Sequence, residues 1–496
     1  MIRISEIGTR QVTSDKLKQG TLMISLSSVL YIAEWIVRVV ALFVVVHKRR
    51  PTAALAWLVV IYFQPWIGIA LYLLIGRHRL PWYRTRQYTL LVRRLEHLKK
   101  QFEGHPHIIH PELGLQCKAA ITLAERFGLM PILDGNSVTL ISDTNEVIRQ
   151  LTADIDKAKE HVHMLFFIFR NDDTGRRVAN ALKQAAGRGV KCRLLIDAVG
   201  SWSTLQSLSH EMRRVGVEVY DDLPVGFLRR RASRIDLRNH RKIAVIDGTT
   251  AYTGSQNIVD DNYGHKDMVW YDLTARLNGP IVQELQTVFL EDWNFRTNRL
   301  LNGPDIFPVL EPSGTVPAQI LPSGPNYSVE NFQRLVVAVL HSAHQRALIT
   351  TPYFVPDEPF LQAMQVVAQR GVQVNLILPV KTDHPLIDMA GRAYFEELLE
   401  AGVRIFAYEK GLLHAKTITI DDSIAFLGSS NFDIRSFSLN FEVNLLLYGR
   451  HATQSLRKQQ MEYLHNSRII ELADWQKRSS FKHISQDIAK LFSPLL

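Results

Sequence analysis

The chain runs to 496 residues with 58 basic and 48 acidic side chains, a formal net charge of +10. At 46% hydrophobic and 21% charged residues it is neither disordered nor collagen-like, and it has apolar material for real cores. Its two cysteines, Cys117 and Cys192, exclude a disulfide framework and a four-ligand zinc site of the usual kind. The basic excess points to an anionic partner, namely nucleic acid, a membrane surface or a substrate, without choosing among them.

Residues 1–21 form an N-terminal flank. The segment 22–46, LMISLSSVLYIAEWIVRVVALFVVV, would make a helix about 37 Å long, enough to cross a bilayer. Glu34 and Arg38 interrupt it at i,i+4 spacing, which lets them meet on one helical face. The segment 53–75, AALAWLVVIYFQPWIGIALYLLI, carries no charge, and Gln64-Pro65 at its middle predicts a kink or a re-entrant turn. A pair of buried core helices is the alternative, but uncharged runs longer than about 18 residues are uncommon in soluble cores. The expectation is a two-helix transmembrane anchor over 22–75. Basic residues are denser on its outer flanks (Arg3, Arg10, Lys16 and Lys18, then Arg77, Arg79, Arg84, Arg86, Arg93 and Arg94) than in its connection (Lys48, Arg49, Arg50). That bias predicts a multi-pass protein with its C-terminal bulk on the cytoplasmic side. A helical juxtamembrane linker is expected over 76–135.

The remaining chain is duplicated. Ala185-Ala186-Gly187-Arg188-Gly189-Val190 before CRLLID resembles Ala368-Gln369-Arg370-Gly371-Val372 before VNLILP. NHRKIAVIDGTTAYTGSQN at 239–257 matches LHAKTITIDDSIAFLGSSN at 413–431 almost position for position, and Asp292-Trp293 pairs with Asp474-Trp475. Each copy reads as amphipathic helix, apolar strand, then further helix and strand. Two α/β halves are therefore expected, 136–302 and 326–496, joined by a Pro/Gly-rich linker over 303–325. The first half alone carries an insertion, LPVGFLRRRASRIDLR, at 223–238.

Both copies contain HxKxxxxDxxxxxxGSxN with no insertion or deletion: His240, Lys242, Asp247, Ser255 and Asn257 in one, His414, Lys416, Asp421, Ser429 and Asn431 in the other. If IAVI and TITI are buried strands, His and Lys two positions apart share a face. A pseudo-twofold arrangement would bring His240 and His414 across one cleft. The two lysines, Asn257, Asn431 and the hydroxyls of Ser255 and Ser429 would then hold non-bridging oxygens of a phosphate. Paired imidazoles suit phosphodiester exchange, since one attacks phosphorus while the other protonates the departing alcohol. Asp267 and Glu442, 27 and 28 residues beyond their histidines, are the candidates to orient the rings, with surface ion pairing as the alternative. Asp247 and Asp421 fall on the opposite strand face or in the following turn and are expected to brace the motif.

The paired motifs resemble the phospholipase D superfamily. Within it, NHRK, VIDG, TGSQN, LHAK, GSSNFD, the AWLVVIYFQPWIGIALYLLIGR segment and the closing LFSPLL resemble the bacterial cardiolipin synthase family over nearly the whole chain. That resemblance implies one bilobal α/β domain of duplicated phospholipase D-type halves behind two transmembrane helices. It implies a bacterial inner-membrane enzyme that converts two phosphatidylglycerol molecules into cardiolipin and glycerol through a phosphohistidine, with no metal and no cofactor. His240, Lys242, Asp247, His414, Lys416 and Asp421 occupy its catalytic positions. Its partners would be phosphatidylglycerol and anionic membrane lipids. Arg229, Arg230, Arg231, Arg234 and Arg238 then read as a patch for anionic headgroups or a solvated loop; no nucleic-acid reader module is recognisable. His161 and His163 have no ligand set around them and read as structural or surface histidines, and His384 as a turn residue.

Overall fold

The computed structural model describes residues 26–47, 51–76, 102, 104–128, 130–225, 237–265, 267–327 and 330–493. The N-terminal flank, Arg229, Arg230, Arg231, Arg234 and most of the basic residues flanking the apolar segments lie outside the described residues. The chain divides into two compact units, Met1–Arg77 and His78–Leu496.

In the first unit the helix Leu26–Val46 packs Ala41 and Val45 against Ala54, Trp57, Ile61 and Tyr72. Among the described residues one helix, Ser27–Val46, is long and apolar enough to cross a membrane. The second apolar segment is split into helices Pro51–Phe63 and Pro65–Leu71, followed by a π turn at Tyr72–Gly76. Proline at 65 cannot continue the hydrogen-bond ladder, and Gln64 leaves the helical region at φ −136°, ψ 84°. The chain folds back so closely that a Cβ on Gly68 would sit 2.6 Å from Ile61 Cα. Arg38 satisfies its charge inside this unit. Its Nη2 meets Glu34 Oε2 at 3.3 Å, and its Nε donates to the Tyr62 carbonyl at 3.2 Å. Tyr62 stands in the last turn before the break, where carbonyls lack intrahelical donors.

The second unit is built from two copies of one strand order. The first copy comprises β1 (Leu133–Ile141), β2 (His161–Phe166), β3 (Lys191–Asp197), β4 (Glu218–Asp222), β5 (Ile243–Ile246), β6 (Thr250–Gly254), β7 (Trp270–Tyr271) and β8 (Thr274–Asn278). The second comprises β9 (Val316–Ser323), β10 (Arg346–Thr350), β11 (Phe354–Val355), β12 (Gln373–Pro379), β13 (Arg404–Tyr408), β14 (Leu412–Leu413), β15 (Thr417–Ile420), β16 (Ile424–Gly428), β17 (Phe432–Asp433) and β18 (Glu442–Tyr448), with β19 (Ser467–Ile470) added at its edge. Fifteen of these form one sheet in the order β19-β13-β12-β10-β15-β16-β18-β9-β1-β8-β6-β5-β2-β3-β4. The two halves mirror each other about the antiparallel β1–β9 pair. In each half a parallel trio (β2, β3, β4; β10, β12, β13) adjoins an antiparallel hairpin carrying the motif (β5, β6; β15, β16).

The repeated Arg-Gly-Val explains itself locally. Gly189 and Gly371 take φ of 92° and 88°, ending the preceding helices. Val190 then donates to Ala185 O at 3.1 Å and Val372 to Val367 O at 3.3 Å, closing a Schellman cap before each parallel strand. Side-chain alternation divides the core. Ile243 and Val245 face a middle layer shared with Leu427, Leu445 and the helix Ile281–Thr297, while Ala244 and Ile246 face an outer layer. The second half has its own outer layer, which takes in Cys117, Ala120 and Ala124.

Three expectations change here. The segment 76–135 is not a mere linker, because the helix Leu115–Gly128 and the start of β1 belong to the cores. The linker over 303–325 is shorter than its prolines imply, since Val316–Ser323 is the central strand β9. Asp292-Trp293 and Asp474-Trp475 are not equivalents: the first pair lies in the long buried helix Ile281–Thr297, the second in the short helix Leu472–Gln476 beyond the added strand β19.

The glycine of GSxN is required by close packing. A Cβ at Gly428 would lie 2.6 Å from Val443 O and 2.7 Å from Asn444 Cα, both backbone atoms of the neighbouring strand. Gly428→Ala must therefore spread β16 from β18, a cost of about 1–3 kcal/mol. The expected result is a thermal midpoint several degrees lower, measured by circular dichroism.

Candidate active site

The two motif histidines sit on the segments leading into β5 and β15, not within those strands. Each is hooked by its backbone onto the opposite half. His240 N–H donates to Phe441 O at 2.8 Å and Phe441 N–H to Arg238 O at 3.0 Å. In the mirror position His414 N–H donates to Tyr271 O at 2.8 Å, next to the short parallel pair β7–β14. In both cases the residue immediately after the accepting carbonyl is a carboxylate, Glu442 or Asp272.

Those carboxylates meet the rings. Asp272 Oδ1 lies 2.6 Å from His414 Nδ1, and Glu442 Oε1 lies 3.3 Å from His240 Nδ1, which also has Asn440 Nδ2 at 3.2 Å. A carboxylate accepts only, so His414 Nδ1–H donates to Asp272 and its Nε2 keeps the lone pair; His240 Nδ1–H faces Glu442 in the same way, with the Asn440 amide nitrogen, itself a donor, competing for that position. Glu442 thus stands on His240, the histidine of the other copy. Asp267 does not orient a ring: it is exposed, and Asp272 holds the matching place. The reason is a loop. Ser255 and Asp272 are 17 residues apart, Ser429 and Glu442 only 13, so counting from the histidine falls short of the register. A signal was present, because each true carboxylate stands seven residues before the glycine that closes its strand, Gly279 or Gly449.

The serines support the carboxylates. Ser255 Oγ donates to Asp272 at 2.7 Å and accepts from Leu273 N–H at 2.9 Å, while Ser429 Oγ donates to Glu442 at 2.5 Å and accepts from Val443 N–H at 3.0 Å. Their hydroxyls are committed inward and not presented to a phosphate as the motif spacing led us to expect. Asn257 is engaged as well, with Nδ2 on the Tyr263 hydroxyl at 3.1 Å and Oδ1 on Ile168 N–H at 3.1 Å. Asn431 keeps a buried Oδ1 with no partner among the described residues. Tyr263 and Ser436, absent from the sequence reading, fill equivalent places: Tyr263 donates to Asp272 at 3.1 Å and Ser436 to Glu442 at 3.2 Å.

Burial dominates the electrostatics. It lowers His414 to about 4, with Lys416 adding to the effect and Asp272 opposing it, and it lowers His240 against the pull of Glu442. Burial alone would raise Asp272, but the His414 ring and Lys416 hold it at about 2. Lys242 is lowered to about 8 by burial, against Glu442 and Asp272, and burial also lowers Lys416 well below its ordinary value, with Lys242 as a contributor. Each lysine donates to its own histidine's carbonyl, Lys242 at 2.6 Å and Lys416 at 2.5 Å. Each lysine also feels charges from both halves.

Asp247 and Asp421 stand in the turns after the motif strands, at φ of 50° and 47°. Asp247 accepts from the N–H groups of Lys159, Glu160 and His161, and Asp421 from those of His344, Gln345 and Arg346, all within 2.9 Å. They tie the motif hairpins to the starts of β2 and β10. His161 and His163 are buried with ring centroids 4.2 Å apart, and His163 is held by Arg193 at 2.9 Å and Gln286 at 2.8 Å. Arg238 pairs with buried Asp197 at 3.3 Å, so it does not join a headgroup patch. Among the described residues no cluster of three or more His, Cys, Asp or Glu is arranged to hold a metal.

A duplicated α/β fold with one His-x-Lys from each half and a carboxylate crossing to each ring defines the phospholipase D class of enzymes. The family model "Cardiolipin synthase, PLD-like domain" matches residues 151–293 and 336–463, and "Phospholipase_D-nuclease N-terminal" matches 36–77. The chain is 34% identical over 465 residues to a cardiolipin synthase of Geobacillus kaustophilus, covering 92% of this chain and 91% of that one. It is 34% identical over 465 residues to cardiolipin synthase A of Shigella flexneri, covering 92% and 96%. The fold is similar to a crystal structure of phosphatidylserine synthase from Haemophilus influenzae, with a TM-score of 0.57 at 15% identity over 76% of this chain and 97% of that one. The chain belongs to the cardiolipin synthase family.

The site puts Asp272 in the place that the sequence assigned to Asp267. Asp272→Asn replaces the acceptor-only carboxylate that fixes the His414 tautomer with an uncharged amide that can also donate, and should lower the rate of cardiolipin formation roughly 10²- to 10⁴-fold. Asp267→Asn should leave it unchanged. Steady-state assays of the two variants check this directly.

Proposed function

We propose that the enzyme transfers a phosphatidyl group from one phosphatidylglycerol to another, giving cardiolipin and glycerol through a phosphohistidine. The observation that carries this reading is the pair of Nδ1–carboxylate bonds crossing between halves, which leaves two Nε2 atoms for one phosphorus. One Nε2 attacks the phosphodiester, the bond to the glycerol oxygen breaks, and the other imidazole, in its protonated form, delivers the proton to that oxygen. Now neutral, that second ring takes the proton of a terminal hydroxyl on another phosphatidylglycerol. The resulting oxygen attacks phosphorus and frees the first histidine. Lys242, Lys416 and the Asn431 side chain are positioned to stabilise the charge on the non-bridging oxygens, while Asp247 and Asp421 act through the scaffold. The cardiolipin synthase names of the relatives support the product.

The same reading treats 22–75 as a two-span anchor in the bacterial inner membrane, with the catalytic unit, halves 136–302 and 326–496, on the cytoplasmic side and phosphatidylglycerol drawn from that leaflet. The apolar helix Ser27–Val46 and the match over 36–77 support membrane attachment.

The test is purified full-length enzyme with labelled phosphatidylglycerol in liposomes and no divalent cation. Cardiolipin and glycerol should form in equal amounts, and denaturing quench should trap label on histidine, lost in the His240→Ala, His414→Ala double variant. Phosphatidic acid as the main product would sink the synthase reading. A pH profile adds a second check. The exchange needs one neutral and one protonated ring, and both rings are held below the ordinary histidine value, His414 at about 4. The rate should therefore be bell-shaped in pH, falling as pH drops toward that value, where protonation removes the nucleophile, and falling again as pH rises, where the acid ring loses its proton.

A further inference from the structure

The last helix of the chain, Ser480–Leu491, is turned inside out. In a surface helix the apolar stripe normally faces the core. Here the side packed on the helix Pro385–Arg392 is formed by Gln486 and Ala489, which are buried. The apolar residues point the other way: Phe481 is 80% exposed, Ile484 58%, Ile488 53%, Leu491 75% and Phe492 47%. At 100° per residue these five fall within an arc of about 100°, a single continuous stripe. A contiguous exposed patch of this kind marks a contact surface, not a scatter of surface hydrophobics.

The chain's own apolar helix indicates what it contacts. Ser27–Val46 is long and apolar enough to cross a membrane, and where it does so the catalytic unit on the same chain stays within reach of the lipid surface. Charge does not decide it, because Lys477 pairs with Asp474, Lys490 with Glu397, and Arg478 lies over Trp475. A second copy of the chain would have to offer an apolar groove matched to a convex stripe, whereas a lipid leaflet offers apolar depth everywhere along its surface. We propose that the helix Ser480–Leu491 lies in the headgroup–acyl boundary of a phospholipid bilayer, its five apolar side chains inserted. The catalytic unit would thereby carry its own attachment to the surface that holds its substrate. This rests on the reading that the substrate is a bilayer lipid.

Cys117 and Cys192 are 4% and 1% exposed, so a cysteine introduced on the stripe can be labelled selectively. Full-length Ile484→Cys and Ile488→Cys proteins, carrying an environment-sensitive fluorophore, would be reconstituted in phosphatidylcholine vesicles containing phosphatidylglycerol. The label should shift to the blue and be quenched by lipid-borne nitroxide, whereas a label at Lys482→Cys should be quenched by aqueous iodide. Iodide quenching at all three positions would overturn the proposal. So would shielding from both quenchers, which would mean that protein covers the stripe. A Phe481→Gln, Ile484→Gln, Ile488→Gln protein should show an apparent KM for vesicle phosphatidylglycerol raised by about tenfold, with unchanged turnover in detergent micelles. An unchanged KM would also overturn it. If the labels insert while the same vesicles yield no cardiolipin, the attachment stands and the substrate reading falls.

Discussion

Everything at the site depends on hydrogen bonds that cross between the two halves of the catalytic unit. Asp272 belongs to the first half and fixes the ring of the second; Glu442 belongs to the second and fixes the ring of the first. Neither half therefore contains a finished histidine. Burial acts on both imidazoles, and an imidazole without an oriented partner in such surroundings would be free to choose either tautomer. The backbone pairings of His240 with Phe441 and His414 with Tyr271 set the distance, and the carboxylates set the proton. Duplication without docking would leave the chemistry undone, and the β1–β9 junction is what makes docking a property of the fold.

The halves are equal in outline and unequal in what surrounds their motifs. In the first, Asn239 and Arg241 flank the histidine and enter a buried polar network. Arg241 reaches Asp292 at 2.7 Å and Glu442 O at 3.1 Å, and Asn239 reaches Asp222 at 2.8 Å. In the second, the same positions are Leu413 and Ala415, packed in the middle apolar layer. Losing one partner of the buried Arg241–Asp292 pair would leave an uncompensated charge, at a cost of about 3–5 kcal/mol. Arg241 is thus a structural clamp: it joins the first motif to the backbone of the residue that orients His240.

Much of this architecture was legible in the chain. The duplication, the α/β class, the two histidines and lysines and the bracing positions of Asp247 and Asp421 all follow from patterns that a linear reading detects. The patterns reflect local requirements, such as glycine in the left-handed region after each helix and acceptor oxygens for three adjacent N–H groups. What could not be read depends on distance in space. Ser255 and Ser429 look like phosphate ligands until the strand beside them brings a carboxylate within hydrogen-bonding range. Asp272 is hidden because four extra residues in the preceding loop shift the count, and Tyr263 and Ser436 share only a hydroxyl, carried on side chains of different length six and five residues after their asparagines. Pro317 and Pro322 looked like linker prolines, although β9 accommodates both at the centre of the sheet.

The inequality of the halves bears on how two like groups take unlike roles. The proposed exchange needs one neutral imidazole and one protonated imidazole at the same moment, and two identical rings in identical pockets would share the proton without preference. Here the pockets differ. His414 is 2.6 Å from a carboxylate held at about 2 and lies edge-on to Trp270, with ring centroids 4.9 Å apart. His240 is 3.3 Å from Glu442, shares Nδ1 with Asn440, and lies over Phe167 with a side chain 20% exposed. The tighter, drier pocket fixes its ring most firmly, and the looser one lets its ring meet solvent and exchange a proton with it. The difference arises outside the motif, in Asn440, Tyr263 and Phe167, so a doubled sequence can specify two chemical tasks while keeping both copies of its catalytic pattern intact.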